Sequence, residues 1–234
     1  MLDGNITPKQ WGEGCPSWAS SVYDNSFNDG TEGSFNGKAS SDELTPKVGA
    51  QYFFDAGMAY VTYSEGFRSG GFNGRATAPN NTGPYDPEGV KSWEAGAKLT
   101  LMDNRVQVNL AVFSLEYDNK QETIVKPGTD GQTTLTVVQN ASSAEIEGFE
   151  VDLKWVLAEG LTFSANYGLL DAGYDDYVVP SATGIVDQTS RELIRAPDMT
   201  AGAGLLFERQ MAEGHWFVAT MNYTWKDDYF ISAT

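Results

Sequence analysis

Segments in which apolar and polar residues alternate recur along this chain and constrain its fold more than any other feature. In one of them Leu161, Phe163, Ala165, Tyr167 and Leu169 are separated by polar or small residues. A period of two places the two sets on opposite faces of a β-strand, and the two faces then meet different surroundings. About eight such segments predict an all-β, antiparallel fold.

The connections between the predicted strands alternate between turns of a few residues and long loops. The strands are expected near Leu44, Ala59, Trp93, Val106, Phe149, Leu161, Met199 and Phe217. Tight turns are expected at 55–57, 103–104, 158–160 and 213–214, and long loops at 65–90, around 126–128 and at 174–195. A change of parity upstream of Gly148 predicts a β-bulge there. Short turns at one end and long loops at the other are typical of an up-and-down transmembrane β-barrel.

The composition excludes several classes of function. The chain of 234 residues carries 32 acidic and 15 basic side chains, a net charge of -17, so it lacks the basic surface of a nucleic-acid binder. Cys15 is the only cysteine and His215 the only histidine, and neither has recognisable partners for catalysis or zinc binding. We therefore expect no enzyme activity and no catalytic, cofactor or metal residues.

The apolar faces of the strands favour a membrane. They carry no charge over about five successive positions, and a charge at the bilayer midplane costs ~2–4 kcal/mol. Trp93, Trp155, Trp225 and Tyr63 lie near strand ends, where aromatic residues meet the membrane surface. No export signal precedes these strands, so the chain is expected to be either cytoplasmic or an internal piece of a longer protein.

Several motifs, taken in order, resemble TonB-dependent outer-membrane receptors, which import ferric siderophores, cobalamin and similar nutrients. The segment YVTYSEGFRSGGFN at 60–73 resembles a barrel segment of that family. Further matches follow in the family's order: Tyr85–Glu88, Trp93–Lys98, Ala111–Phe113 with Gln121, Asn140–Ala141, Gly148–Glu150 and Ala196–Pro197. The likeness extends from about Leu44 to Phe230.

The resemblance implies a barrel of about 22 strands filled by a plug domain. On this interpretation residues 44–234 are part of the barrel, and residues 1–43 form a long extracellular loop region. The implied location is the outer membrane of a Gram-negative bacterium. The implied partners are membrane lipid, TonB through a plug region that this chain lacks, and an extracellular ligand such as a ferric siderophore; nucleic acid is not among them.

Five loop residues are candidates for ligand contact. Arg68 and Arg75 suit the carboxylate or catecholate oxygens of an anionic ferric chelate, although pairing with Glu65 or Asp86 is an alternative. Tyr85, Tyr174 and Tyr177 are candidates for stacking on an aromatic ligand, with membrane-interface anchoring as the alternative.

Two other architectures remain open from the residues alone. One is a soluble, acidic β-sandwich that binds carbohydrate through loop aromatics such as Trp11, Trp18 and Tyr85. The other is a small barrel of eight strands that closes on itself, with the strand at Leu44 paired to the strand at Phe217.

Overall fold

The computed structural model describes residues 21–26, 36–73, 83–127, 134–181 and 184–231, and its regular elements there are all strands. The strands are β1 (Ser21–Ser26), β2 (Asn36–Ser41), β3 (Lys47–Phe54), β4 (Gly57–Arg68), β5 (Glu88–Leu101), β6 (Val106–Pro127), β7 (Thr134–Ala158), β8 (Leu161–Ser181), β9 (Gly184–Asp187), β10 (Met199–Ala212) and β11 (His215–Lys226). Within these ranges no helix is long and apolar enough to cross a membrane. Cys15, Trp11, Trp18 and Arg75 lie outside the described residues.

The principal sheet is an antiparallel meander in which each strand pairs with its neighbours in the chain. Its order is β3, β4, β5, β6, β7, β8, β10 and β11, and the short β9 pairs with β8. This confirms the eight strands predicted from alternation and their order. The strands β1 and β2 form a separate two-stranded ladder within the region 1–43.

Both alternative architectures disagree with this sheet. The end strands β3 and β11 each pair on one side only and do not pair with one another, so the eight strands do not close into a barrel of their own. A β-sandwich requires a second sheet packed on the apolar face. The described part of the chain provides none, and large apolar side chains on that face stay exposed, such as Tyr52 and Met221.

Three strands extend far beyond the predicted boundaries. The strands β6, β7 and β8 have 22, 25 and 21 residues, so the prediction of a loop beginning at Tyr174 is wrong as far as Ser181. The parts of these strands that are farthest from the short turns have no regular apolar–polar alternation. Neither face of the sheet is uniformly apolar there, so nothing imposes a period of two on the sequence. Periodicity therefore detects only the part of each strand that separates two different environments.

The predicted β-bulge at Gly148 is also wrong. The register of β7 with β6 and with β8 runs unbroken through Gly148, and the nearest shift lies at Ser143/Ala144. The apolar residues of β7 change face because their environment changes. Ala144 and Ile146 belong to an apolar cluster that lies beyond Gly148, on the same face as Glu150.

The turn between β5 and β6 agrees with the sequence prediction. Asp103 and Asn104 have φ of 53° and 67°, and the amide of Arg105 donates to the carbonyl of Met102 at 3.1 Å. Met102 also has a positive φ, 54°, so three consecutive residues with left-handed φ reverse the chain between the paired residues Leu101 and Val106. This turn and those at Asp55, Glu159 and Glu213 lie at one edge of the sheet, and the long connections lie at the other, which we call the loop end.

Candidate functional site

Rows of cross-strand partners on one face of the sheet form a continuous apolar surface. The first row contains Ala50, Val61, Ala95, Val112, Phe149, Leu169 and Met199, and the second contains Tyr52, Ala59, Ala97, Leu110, Val151, Tyr167, Ala201 and Trp225. The third contains Phe54, Gly57, Leu99, Val108, Leu153, Ala165, Ala203 and Tyr223, and the fourth contains Leu101, Val106, Trp155, Phe163, Leu205 and Met221. We call these four rows the apolar belt. No residue in it is charged.

The height of the apolar belt fits the hydrocarbon layer of a membrane. On β5 the uncharged apolar face runs from Trp93, one row outside the apolar belt, to Leu101, and on β11 it runs from Phe217, two rows outside the apolar belt, to Trp225. Each run is about nine residues, or roughly 30 Å of strand at ~3.4 Å per residue. Strands tilted by about 35–45° bring this to about 21–25 Å, close to the ~25 Å band of outer-membrane barrels.

The apolar belt also shifts along the strands from one side of the sheet to the other. On β5 the first charged residue of this face is Lys91, two residues before Trp93, whereas on β11 it is Asp227, two residues after Trp225. Trp93 pairs with Tyr63 just before the first belt row, but Trp225 belongs to the second row. A shift of this kind is required when tilted strands cross a layer of constant height, as they do in a barrel.

The boundary of the apolar belt at the loop end is abrupt. Tyr63 and Trp93 pack there with ring centroids 4.7 Å apart. One row further out, Lys91 Nζ lies 3.0 Å from Asp118 Oδ2 and 3.9 Å from Glu116 Oε2. The hydrogen bond to Asp118 and the charges of both carboxylates raise the pKa of Lys91. Aromatic residues followed by charges mark the place where an apolar layer gives way to water.

The opposite face of the sheet is polar. Glu94, Glu150 and Asp152 lie on it, and the Tyr60 hydroxyl donates to Glu94 Oε1 at 2.6 Å. Further along this face lies a depression of about 520 Å³, with Gln107, Asn109, Asp152, Lys154, Ser164, Asn166 and Asn222 among its lining residues. Alternation thus separates one uncharged face from one face that carries acids, bases and amides.

The predicted ligand residues are divided between an exposed loop and a buried cluster. Arg68 ends β4, is exposed, and pairs in register with Glu88. Tyr85 forms a β-bridge with Gly71 and is partly exposed. Among the residues that the structure covers, Arg68 makes no ion pair with Glu65 or Asp86.

Tyr174 and Tyr177, by contrast, are buried at 7% and 2% exposure, with ring centroids 4.6 Å apart. They belong to an apolar cluster at the loop end, which we call the rim cluster; its buried members are Ile124, Val137, Ala141, Ala144, Tyr174, Tyr177 and Leu193. The Tyr174 hydroxyl donates to Glu122 Oε1 at 2.9 Å, and Lys120 pairs with the same carboxylate. Burial, the negative charge of Glu122 and this hydrogen bond raise the pKa of Tyr174, and burial followed by the charge of Glu122 raises that of Tyr177.

Sequence reasoning missed the polar residues that attach the exposed loop to the sheet. The side-chain amide of Gln121 donates to the carbonyls of Arg68, Ser69 and Asp86 at 3.4, 3.1 and 3.1 Å. The Asn140 side chain accepts from the Asp86 amide at 2.6 Å and donates to the Asp86 carbonyl at 2.9 Å. The sequence marks both residues as matches to the family's motifs, and nothing in a single sequence shows which backbone group a side-chain amide will contact.

No group of three or more His, Cys, Asp or Glu side chains suited to a metal ion occurs in the described ranges.

Comparison with known proteins adds a family match across almost the whole chain. The family model described as "TonB dependent receptor-like, beta-barrel" matches residues 19–234. A probable TonB-dependent siderophore receptor of Acinetobacter baumannii, PiuA, is 27% identical over 144 residues, which are 59% of this chain and 18% of that protein. The metal-pseudopaline receptor CntO of Pseudomonas aeruginosa is 29% identical over 130 residues, 55% of this chain and 16% of CntO. The chain thus spans less than a fifth of these relatives.

Solved structures show the same fold. The ferric yersiniabactin uptake receptor FyuA of Yersinia pestis aligns with a TM-score of 0.63 at 19% identity, covering 81% of this chain and 26% of FyuA. The ferric preacinetobactin receptor BauA of A. baumannii aligns with a TM-score of 0.57 at 18% identity, covering 85% of this chain and 27% of BauA. The described sheet therefore has the fold of roughly one quarter of such a barrel.

Proposed function

The chain belongs to the TonB-dependent receptor β-barrel family, and from this premise we propose that it forms part of the wall of an outer-membrane receptor that imports a ferric siderophore. The family is a class of receptors and transporters rather than of enzymes. We propose that residues 44–234 contribute barrel wall and that residues 1–43 contribute an extracellular loop region. The location in a Gram-negative outer membrane belongs to the same proposal.

The observation that carries the proposal is the uncharged apolar belt. Its exposed side chains require an apolar partner, and the described part of the chain supplies no layer that covers them. A soluble protein rarely exposes a continuous apolar surface of this kind. Lipid is the partner that fits a surface about nine residues high with aromatic residues at its edge.

The polar face then lines the lumen of the complete barrel. Acids, lysines and amides on this face are compatible with water or with a polar domain inside the barrel. We propose that a plug region outside this chain occupies that space and that TonB acts through it. Both partners are inferred from family membership.

Ligand contact is proposed for the exposed loop at the extracellular end. Arg68 is exposed and, among the described residues, free of ion pairs, so its guanidinium is available to an anionic chelate. Tyr85 is partly exposed on the same loop, and Arg75 is proposed as a second cation of that loop. Tyr174 and Tyr177 are buried members of the rim cluster, so we propose that they contribute to ligand binding indirectly, by supporting the loop end.

The proposal is tested by iron uptake in cells that carry the full-length receptor. Uptake of ⁵⁵Fe is measured with a panel of hydroxamate, catecholate and phenolate ferric chelates, in receptor-deleted, complemented and TonB-deficient strains. We expect one chelate class to depend on both the receptor and TonB. If no chelate in the panel depends on the receptor, siderophore import is wrong, whatever the position of the barrel in the membrane.

A further inference from the structure

The β4–β5 loop is held at its base by side chains from two neighbouring strands. We call this base the neck; it consists of residues 68–71, which leave β4, and residues 85–88, which enter β5. The two limbs pair through the Gly71–Tyr85 bridge, in which each amide donates to the other carbonyl at 2.9 Å. They are so close that a β-carbon at Gly70 would lie 2.4 Å from the Tyr85 carbonyl oxygen.

The first clamp on the neck comes from β6. Pairing of β5 with β6 ends at Gly89 and Asp118, so Gln121 lies beyond the last ladder bond with β5. Its side chain is 7% exposed and donates to carbonyls of both limbs, Ser69 on one side and Asp86 on the other. Its backbone amide donates to Glu88 Oε2 at 2.6 Å. Beyond the last backbone hydrogen bonds between β5 and β6, the side chain of Gln121 thus supplies the hydrogen bonds that join both limbs of the neck to β6.

The second clamp comes from β7, where Asn140 is the register partner of Gln121. The Asn140 side chain bonds both the amide and the carbonyl of Asp86, as a paired strand would do. It also donates to the carbonyl of Asn119 at 2.8 Å, which ties the neck to the strand of Gln121. A similar contact runs from the loop to β7. The Asn73 side chain accepts from the amide of Val138 at 2.7 Å and donates to its carbonyl at 2.9 Å.

We infer that Gln121 and Asn140 are positioning residues for ligand capture: they fix the neck to the β6–β7 hairpin, so that Arg68 and Tyr85 are presented from a rigid base. This inference rests on the proposed function for the ligand step, but the clamp itself does not. The physical reason is preorganisation, because a loop that is already ordered loses less conformational entropy when it binds. Neither residue touches the ligand in this scheme.

Hydrogen exchange tests the clamp without any ligand. The full-length receptor, purified in detergent, is compared as wild type, Gln121→Ala and Asn140→Asp, with exchange followed at Gly71, Tyr85 and Asp86. Asn140→Asp keeps the acceptor for the Asp86 amide and removes the donor. We expect exchange in the neck to rise about tenfold in Gln121→Ala, which loses its side-chain bonds to both limbs, and less in Asn140→Asp, which keeps one of its bonds to Asp86. The matched control is Gln107→Ala, a glutamine of the same strand on the polar face, which should leave the neck unchanged.

Uptake of ⁵⁵Fe from the chelate panel tests the positioning role. For the chelate that the wild type accepts, we expect the half-saturating concentration to rise about tenfold in Gln121→Ala at unchanged receptor abundance and maximal rate. Unchanged exchange in the neck would overturn the clamp. Faster exchange with an unchanged half-saturating concentration would overturn the positioning role and leave the proposed function standing. If the wild type takes up none of the chelates, the proposed function fails, and the positioning role fails with it.

Discussion

The ring of Phe113 on β6 lies across Gly148 on β7, so close that a β-carbon at Gly148 would sit 2.2 Å from the ring edge. The two residues are register partners on the polar face. Glycine is therefore required here by the neighbouring ring and not by a turn or a bulge, and an aromatic ring that covers a glycine of the adjacent strand also shields its backbone.

Replacing Gly148 by alanine should destabilise the barrel. Overpacking costs about 1–3 kcal/mol, because the partly buried Phe113 ring must leave its position over Gly148. Denaturant unfolding of the full-length receptor in detergent micelles measures the change. Gly89→Ala is the matched control, since a β-carbon there meets nothing within 4 Å. The double variant Phe113→Leu/Gly148→Ala should recover part of the loss; equal stability of Gly148→Ala and Gly89→Ala would contradict the steric account.

Replacing Leu153 by arginine should impair assembly in the outer membrane. Leu153 lies in the third row of the apolar belt, near its middle, where a charge exposed to lipid costs about 2–4 kcal/mol. The amount of folded receptor in isolated outer membranes, read from its heat-modifiable mobility in gels, measures the effect. Gln107→Arg on the polar face is the control and should assemble normally. Equal assembly of the two variants would show that lipid does not cover the apolar belt.

The order of the strands was predictable because alternation survives wherever one face meets lipid and the other does not. The same rule explains the failures. Ala144 and Ile146 lie where apolar side chains move to the other face, so the sequence pattern predicts a change of register at Gly148 although only the environment changes there. The sequence pattern predicts a loop over the outer half of β8 because apolar and polar residues do not alternate regularly there.

The candidate site was predictable only in part, for a different reason. Arg68 and Tyr85 stand out by residue type within a glycine-rich loop, and the structure places them on the same neck. Tyr174 and Tyr177 stand out equally but are buried, since only the fold decides whether a loop tyrosine is covered. The amide of Gln121 serves three backbone carbonyls that are more than 30 residues away in the chain, and no local pattern encodes such a contact.

The turn between β5 and β6 should tolerate glycine and reject β-branched residues at Asn104. Its φ of 67° lies in the left-handed region, which glycine adopts freely and valine does not. We expect Asn104→Val to cost about 1–2 kcal/mol and Asn104→Gly to cost little, again by denaturant unfolding in micelles. A matched loss in both variants would point to the Asn104 side chain rather than to the backbone.

Removing the Tyr174 hydroxyl should loosen the rim cluster at neutral pH. Tyr174→Phe leaves the mostly buried Glu122 with Lys120 as its remaining partner and removes a hydrogen bond to a charged group, worth about 1.5–3 kcal/mol. Faster hydrogen exchange in the outer parts of β6 and β8 would report the loss. Tyr177→Phe is the control that keeps the ring packed against Tyr174, at an interplanar angle of 32°, and the bond from Tyr174 to Glu122.

High pH should loosen the same cluster in the wild type. The loosening should begin at a higher pH than the one at which an exposed tyrosine ionises. Burial and Glu122 raise the pKa of Tyr174 above its ordinary value of 10.0, so its contribution to stability is complete below pH 10 and disappears as the pH rises through the raised pKa. Tyrosinate absorbance of the full-length receptor should therefore show a late-titrating component that Tyr174→Phe reduces, while Tyr177, whose pKa burial also raises, still contributes to it. Exchange in the outer part of β8 should rise with that component in the wild type, whereas in Tyr174→Phe it should already be raised at neutral pH. A late component of unchanged amplitude in Tyr174→Phe would contradict the raised pKa of Tyr174, and the link between Glu122 and the stability of the rim cluster would then be wrong.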